Sequence, residues 1–389
     1  MSQMGEPSAS PYRPSGNMGQ DSAPPEAVLV ALGGLPGMGP ARLTALLGRF
    51  EPSALWDALK QRRRAEIISA LAAVKGGAKS VERWIDAAAT LDVEDVWAAH
   101  LASGVTVLTA DDPRFPARLD DDPEPPALLY AQGEPSVLDG PCVALVGTRR
   151  CSRYGYDVAH DLGRDLAAAG VCVVSGLALG IDAAAHRGAL DGAGAAPAAV
   201  VGTGLDVRYP RANHELWEQV AATGVVLSEA PLGTRPDRWR FPARNRVIAG
   251  LADVVVVVES HASGGSLHTV AEALERDRVV LAVPGSVRSP SASGVNQLLH
   301  DGAGPCRDVD DILVVLGLAG VGAGRGGGTR RPPPSGGDAE VLARIGWEPT
   351  SIDQLAHGGL GLGPLTATLE RLVQTGWLTR TGSWYERRG

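Results

Sequence analysis

Residues 142–176 read CVALVGTRRCSRYGYDVAHDLGRDLAAAGVCVVSG, and this stretch decides the fold. Two short valine-rich runs, Val143–Val146 and Val171–Val174, enclose a segment favoured as helix, Tyr154–Ala169. Short β-branched runs without polar alternation predict strands that are buried on both faces, as in parallel sheets. The stretch therefore predicts one strand–helix–strand unit of a parallel sheet.

The same alternation of strand and helix continues to residue 283. Further strands are predicted at Ala198–Val201, Val225–Leu227, Val254–Val258 and Val279–Val283. The helices between them are predicted at Asp182–Asp191, Asn213–Ala222, Arg244–Ala249 and Ser266–Arg276. Buried strands that alternate with helices predict an α/β fold with a doubly wound parallel sheet.

Composition changes on both sides of this region and indicates further segments. Ser/Pro/Gly-rich sequence predicts disorder and flexible linkers, whereas Ala/Leu-rich sequence favours helix. The expected segments are a disordered tail (1–25), a small helical domain (26–104), a connector with one short strand at Val105–Leu108 (105–140), the sheet domain (141–319), a Gly/Pro-rich linker (320–337) and a separate C-terminal unit (338–389).

Bulk charge and cysteine spacing limit the possible functions. The net charge of −8 argues against a nucleic-acid partner unless positive charge is clustered locally. The four cysteines fall at no metal-ligand spacing, so no metal site is expected, and no cofactor motif is recognised. The first 25 residues lack an apolar stretch, and no run approaches the length of a membrane span. We therefore expect a cytoplasmic protein without membrane association.

Glycine and hydroxyl residues follow three of the predicted strands. They form the segments Gly147–Arg150, Ser175–Asp182 and Gly202–Asp206. In open parallel sheets ligands bind at the carboxyl ends of the strands, where glycine lets the backbone approach a phosphate. No GxGxxG follows the first strand, which disfavours a dinucleotide enzyme. Asp182 and His186 share a helix face, but local capping and packing explain them better than acid–base catalysis.

Positive charge is concentrated in the arginine segment, residues 235–246. It reads RPDRWRFPARNR and holds five arginines against one acid. Arginine binds phosphate through two parallel hydrogen bonds, and aromatic rings stack on exposed bases. Arg238, Arg240 and Phe241 are therefore candidate DNA-binding residues.

Several blocks together resemble the DNA-processing protein A (DprA/Smf) family. They are GTRR followed by SRYG, then SGLALGIDAAAH, GTGLDVRYPRAN, FPARNRVIAGL and AVPGS, in continuous order over about 142–302. The resemblance implies an extended Rossmann domain that binds single-stranded DNA, loads the RecA recombinase in natural transformation and recombination, dimerises through its Rossmann domains and has no catalytic turnover.

The resemblance also implies a phosphate pocket. Its residues here are Gly147, Thr148, Arg149, Ser175, Gly176, Gly180, Arg244, Asn245, Arg246, Gly264, Gly265 and Ser266. This chain has Thr148 where the family usually has serine, and the 263–268 loop lacks the usual arginine. The alternative function is nucleotide hydrolysis by a lysine-decarboxylase-like phosphoribohydrolase, but the PGGxGTxxE motif of that class is missing.

The two flanking units give weaker signals. Residues 35–42 read LPGMGPAR, which fits a helix-hairpin-helix (or SAM-like) turn in the helical domain. The C-terminal unit suits a winged helix, with Ser351 capping a helix that runs through His357. Its second helix carries one base, Arg371, and the unit has five bases against six acids. A DNA-reading helix is usually basic, so a structural or protein-contact role is favoured.

Overall fold

The structure is a computed structural model of the chain, and it describes residues 24–74, 76–318, 334–345, 349–356 and 361–387. Residues 1–23 of the predicted disordered tail and residues 320–333 of the predicted linker lie outside these ranges. The chain divides into two compact units, residues 1–322 and residues 323–389.

The first unit begins with six helices. They are α1 (Pro25–Gly33), α2 (Pro40–Leu47), α3 (Pro52–Lys60), α4 (Arg64–Ala70), α5 (Val81–Thr90) and α6 (Val93–Ala102). Proline starts α1, α2 and α3, because the first helical residue needs no backbone N–H donor. Leu32, Leu55 and Trp84 share one apolar cluster with Tyr130 and Val226 of the sheet. The helices therefore pack onto a sheet edge and have no separate core.

A nine-stranded sheet forms the centre of the unit. Its strands are β1 (Thr106–Leu108), β2 (Leu129–Gly133), β3 (Cys142–Gly147), β4 (Cys172–Ser175), β5 (Ala198–Val201), β6 (Val225–Ser228), β7 (Val254–Glu259), β8 (Val279–Ala282) and β9 (Gly304–Pro305). The helices among them are α7 (Arg153–Ala168), α8 (Ile181–Asp191), α9 (His214–Thr223), α10 (Arg240–Leu251), α11 (Ser266–Leu274), α12 (Ser293–His300) and α13 (Val309–Val315).

The spatial order of the strands is β1-β2-β6-β5-β4-β3-β7-β8-β9, and the pairs from β6 to β9 are parallel. The chain builds outward from β3 to β6, then returns to β7 on the other side of β3. This reversal is the switch point at which open α/β sheets bind ligands. The predicted α/β fold with a doubly wound sheet is confirmed.

Both faces of the sheet are buried. Val143 and Leu145 of β3 pack with α7 and α8, whereas Ala144 and Val146 pack with α10, α11 and α12. Because successive side chains of a strand point to opposite faces, this arrangement requires the continuous apolar runs seen in the sequence.

The predicted connector, residues 105–140, contributes two strands to the sheet. Its second strand, β2, pairs antiparallel with β1 and with β6. The strand β2 was not predicted from the sequence, and the sheet is mixed at this edge instead of wholly parallel. The strand is five residues long, and its partner β6 lies far away in the sequence. The local sequence therefore does not predict this pairing.

The second unit has its own small core. It contains α14 (Gly337–Arg344), β10 (Thr350–Ser351), α15 (Ile352–Ala356), α16 (Leu362–Gln374), β11 (Leu378–Thr381) and β12 (Trp384–Arg387). The three strands form an antiparallel sheet in the order β10-β12-β11, and Leu365, Leu369 and Leu372 of α16 lie in the core. This order of elements is that of a winged helix. His357 and the turn that follows it lie outside the described residues. Across the described parts of both units, none of the helices is sufficiently long and apolar to cross a membrane.

Candidate nucleic-acid interface

A cleft of about 690 Å³ opens at the switch point, where β3 and β7 end. We call it the strand-end cleft. It is lined by Val146, Gly147, Thr148, Arg149, Arg150, Ala178, Asp182, Tyr209, Arg238, Phe241, Pro242, Arg244, Asn245, Ile248, His261, Gly264, Gly265, Ser266, His268 and Thr269. The lining thus includes four arginines and two histidines but only one carboxyl group, that of Asp182.

The loop after β3 is shaped by Glu259 at the end of β7. Its backbone carbonyl accepts a hydrogen bond from the Thr148 N–H at 2.8 Å. Its carboxylate accepts from the N–H and the hydroxyl of Ser152 at 2.9 and 3.1 Å, and Ser152 caps α7. Arg149 thus projects from a loop that is fixed at both ends, so less side-chain and loop freedom is lost when it binds an anion.

An aromatic pair lies beside this arginine. The Arg149 guanidinium stands 4.8 Å from the centre of the Phe241 ring, and the ring of Tyr209 lies 5.7 Å from that of Phe241. Tyr209 remains partly exposed. Cationic and aromatic groups placed together can hold a phosphate and a base of the same nucleotide.

Arg244 forms part of the floor of the cleft. It is 8% exposed and donates to the carbonyl oxygens of Gly176, at 3.0 Å, and of Val200. Burial lowers the pKa of Arg244 to about 10, and the nearby carboxylate of Asp182 opposes that shift. The guanidinium therefore joins two strand ends and adds positive charge beneath the cleft.

Asp182 and His186 are both buried in α8. The Asp182 carboxylate accepts a hydrogen bond from the Gly176 N–H at 3.1 Å, and burial raises its pKa. Burial lowers the pKa of His186 to about 3, so that ring is neutral at physiological pH. The Asp182 carboxylate thus binds the loop that precedes α8. The N-cap residue of α8 is Gly180 and not Asp182.

The loop between β4 and α8 contains two residues with positive φ. Leu177 has φ 52° although it is not glycine, and Gly180 has φ 78°. The Asn213 side-chain amide donates to the Leu177 and Ala178 carbonyls at 2.9 and 3.2 Å, which stabilises this conformation. A side chain at Gly180 would collide with the Thr148 carbonyl, so glycine allows the two loops to touch.

The structure brings most of the predicted site residues together. Those lining the cleft are Gly147, Thr148, Arg149, Arg238, Phe241, Arg244, Asn245, Gly264, Gly265 and Ser266. Gly176 lines a small adjoining pocket with Arg149 and Phe241. Ser175 is fully buried and donates to the Leu145 carbonyl at 2.6 Å, and Gly180 packs behind the cleft.

Two predicted arginines lie elsewhere. The Arg240 guanidinium stacks on Trp239 at 4.5 Å from the ring centre. Arg246 is buried and forms an ion pair with Glu229 and a hydrogen bond to the Glu124 carbonyl.

The start of α10 explains this division of the arginine segment. The helix begins at Arg240, so residues one turn apart share a face. Phe241 and Asn245 face the strand-end cleft, whereas Ala243 and Arg246 face a separate groove of about 850 Å³.

The turn of the predicted helix-hairpin-helix lines that groove. Gly37, Gly39 and Arg42 lie on one wall, and Glu124 and Glu272 lie on another. Carboxylates repel phosphate, so the groove is a poorer anion site than the strand-end cleft.

Five polar residues of the cleft were not predicted from the sequence: Arg150, Tyr209, His261, His268 and Thr269. Arg150 and Tyr209 lie within the blocks GTRR and GTGLDVRYPRAN, but no role was predicted for them. No spacing rule marks the histidines, because they come from a loop after β7 and from α11.

The chain is similar to several known proteins. The model of the family "DNA recombination-mediator protein A" matches residues 106–317. Protein Smf of Synechocystis is 35% identical over 404 residues, covering 93% of this chain and 99% of that protein. DNA processing protein DprA of Bacillus subtilis is 37% identical over 222 residues, covering 57% of this chain and 74% of that protein.

Two solved structures are also similar. The structure of DprA from Streptococcus pneumoniae has a TM-score of 0.62 at 32% identity and covers 75% of this chain and 96% of that one. DprA from Helicobacter pylori, described for its single-stranded DNA binding mode, has a TM-score of 0.50 at 30% identity and covers 55% of this chain and 95% of that one. The family model spans more than half of the chain, and a relative is matched over nearly its whole length. This chain belongs to the DprA/Smf family of DNA recombination-mediator proteins.

Proposed function

We propose that the chain binds single-stranded DNA in the strand-end cleft. The observation that carries this proposal is the convergence of Arg149, Arg150, Arg238 and Arg244 beside the Tyr209–Phe241 pair. The net charge of −8 is thus offset locally, where a phosphate chain would lie. The H. pylori relative, described for single-stranded DNA binding, supports the same assignment.

The wider role follows from the family. The chain is proposed to load RecA onto the bound strand during transformation and recombination, without catalytic turnover. It is proposed to act in the cytoplasm as a homodimer, because one cleft offers only a short track for a strand. Light scattering at micromolar concentration, with and without DNA, tests the dimer, and a strict monomer would contradict it.

A salt titration tests the DNA-binding function. Binding of a labelled oligothymidylate should weaken with salt, with a log–log slope of about −0.7 per phosphate neutralised. The affinity for duplex DNA of the same length as the oligothymidylate is measured for comparison. A chain that binds neither form, or whose affinity ignores salt, would contradict the proposal.

The alternative function is hydrolysis of nucleoside monophosphates. In this chain Val270 stands four residues after Ser266, and the nearest acid, Glu272, is ion-paired with Arg276 on the wall of the other groove. Among the described residues of the cleft, the one carboxyl group is the buried Asp182. We expect no release of free base when the chain is incubated with nucleoside monophosphates. Release that disappears in Asp182→Asn would establish the alternative.

Removal of the second unit should leave DNA affinity nearly unchanged. The described core of each unit is formed by its own residues, and residues 338–389 carry six acids against five bases. We expect a 1–320 fragment to fold and to bind single strands within about threefold of the full chain at matched salt. A loss above about tenfold, or 1.4 kcal/mol, would place DNA contacts in residues 321–389, that is, in the linker or the winged helix.

A further inference from the structure

Two exposed histidines face the strand-end cleft together with its arginines. His261 follows β7, and His268 lies in the first turn of α11. Arginine keeps its charge across the whole physiological range, but an imidazole takes up a proton in it. The cleft therefore combines the fixed charge of its arginines with two imidazole rings.

The hydrogen bonding of His261 sets what its ring offers to a phosphate. Nδ1 lies 3.1 Å from the Pro290 carbonyl oxygen, which can only accept, so Nδ1 carries the hydrogen. In the neutral ring Nε2 is then an acceptor and repels a phosphate oxygen. After protonation Nε2 becomes a charged donor, so the proton converts repulsion into a charge-assisted hydrogen bond.

His268 lies at a helix N-terminus, which is a second kind of anion-binding position. It is the third residue of α11, a nine-residue helix that follows Gly264 and Gly265. Unpaired N–H groups make a helix N-terminus favour anions and disfavour cations. A phosphate bound at this terminus would lie beside the His268 ring, and a protonated imidazole can donate a charge-assisted hydrogen bond to it.

Other charged and titratable groups also surround the two histidines. Arg149, Arg150, Arg238 and Arg244 are the arginines of the cleft lining, and Tyr209 adds a phenol to it. Asp182 is buried with its carboxylate on the Gly176 N–H. On α11, Glu272 is ion-paired with Arg276, and the loop beneath His261 carries the exposed Arg288.

We infer that His261 and His268 are proton-dependent phosphate ligands of the cleft, which holds single-stranded DNA more tightly in mildly acidic than in mildly alkaline solution. This inference rests on the proposed function, because it assigns two further residues to the same DNA site.

The test is a titration of the full chain with oligothymidylate, whose bases do not titrate in this range, carrying a pH-insensitive rhodamine dye. Ionic strength is held constant at about pH 6 and about pH 8. We expect affinity to be about tenfold higher at the lower pH, or a few-fold for each histidine. H261Q/H268Q should reduce that ratio to less than about twofold, and H261K/H268K should bind tightly at both values.

His300, exposed at the end of α12, provides the matched control, and H300Q should keep the wild-type pH response. Equal wild-type affinity at both values, or an unchanged response in H261Q/H268Q, would overturn the inference and leave the proposed function standing. Absence of DNA binding at either pH would instead contradict the proposed function.

A second measurement applies if the double variant fails to fold. The imidazole C2–H signals of His261 and His268 in the wild-type chain, assigned with the single variants, are followed against pH by NMR. Both titrations should move to higher pH when oligothymidylate is added, and titrations that stay in place would overturn the inference.

Discussion

Replacing Arg149 by alanine is expected to weaken single-stranded DNA binding by about thirtyfold. Arg149 is exposed on a loop held by Glu259, and its guanidinium already lies over the Phe241 ring. A charge-assisted hydrogen bond to phosphate contributes about 2 kcal/mol, which corresponds to that change in the dissociation constant. The measurement is fluorescence anisotropy with oligothymidylate across a salt series, and the magnitude of the log–log slope should fall by about 0.7.

Arg62→Ala is the charge-matched control for this prediction. Arg62 lies between α3 and α4, is 60% exposed and is ion-paired with Glu82 and Asp86. It removes the same formal charge away from the strand-end cleft. Equal affinities of the two variants would mean that the protein's overall charge, and not the cleft, governs binding.

Replacing Arg246 by alanine is expected to act on stability, with a loss of about 3–5 kcal/mol in the free energy of unfolding. Its side chain is 9% exposed and pairs with Glu229, whose side chain is 11% exposed. Removing the arginine leaves the carboxylate buried without its partner. Urea unfolding at pH 7 measures the loss, and DNA affinity of the remaining folded protein should change little.

The pH dependence of this loss follows from Glu229. Burial raises the pKa of Glu229 from 4.5 to about 7, against the opposing effect of Arg246. A carboxyl with a raised pKa favours the folded state below its unfolded value, and that contribution is lost as pH rises through 7. The Arg246→Ala deficit should therefore be larger at about pH 8 than at about pH 5.

Glu229→Gln together with Arg246→Met provides the control, since it removes both charges and keeps the volume. We expect this pair to recover part of the lost stability. A single variant that unfolds like wild type but loses DNA binding would place Arg246 in the DNA site, as the family resemblance implies.

The parallel core was predictable from sequence because both sheet faces are buried. The predicted strand Val143–Val146 lies within the observed strand Cys142–Gly147, and the predicted bounds of Ala198–Val201 equal the observed ones. In such strands apolar content alone carries the signal. The strand Leu129–Gly133 was missed because its pairing with β6 is long-range and its flanks are rich in aspartate and proline.

The candidate site was predictable in composition but not in geometry. The five arginines of residues 235–246 indicated a positive region, but the helix was predicted to begin only at Arg244. Because α10 begins at Arg240, Phe241 lies on the helix face toward the strand-end cleft, and Arg246 lies on the face toward the separate groove. The two histidines of the cleft come from separate elements, and only the fold brings them to the arginines.

Photocrosslinking tests the location of the DNA most directly. Oligothymidylate carrying 4-thiothymidine is bound to the full chain at moderate salt and irradiated, and the modified peptides are identified by mass spectrometry. Binding in the strand-end cleft predicts adducts on Tyr209 and Phe241 that disappear with an excess of unlabelled single strand. Adducts confined to residues 361–387, or to the groove of Pro40 and Trp239, would contradict it.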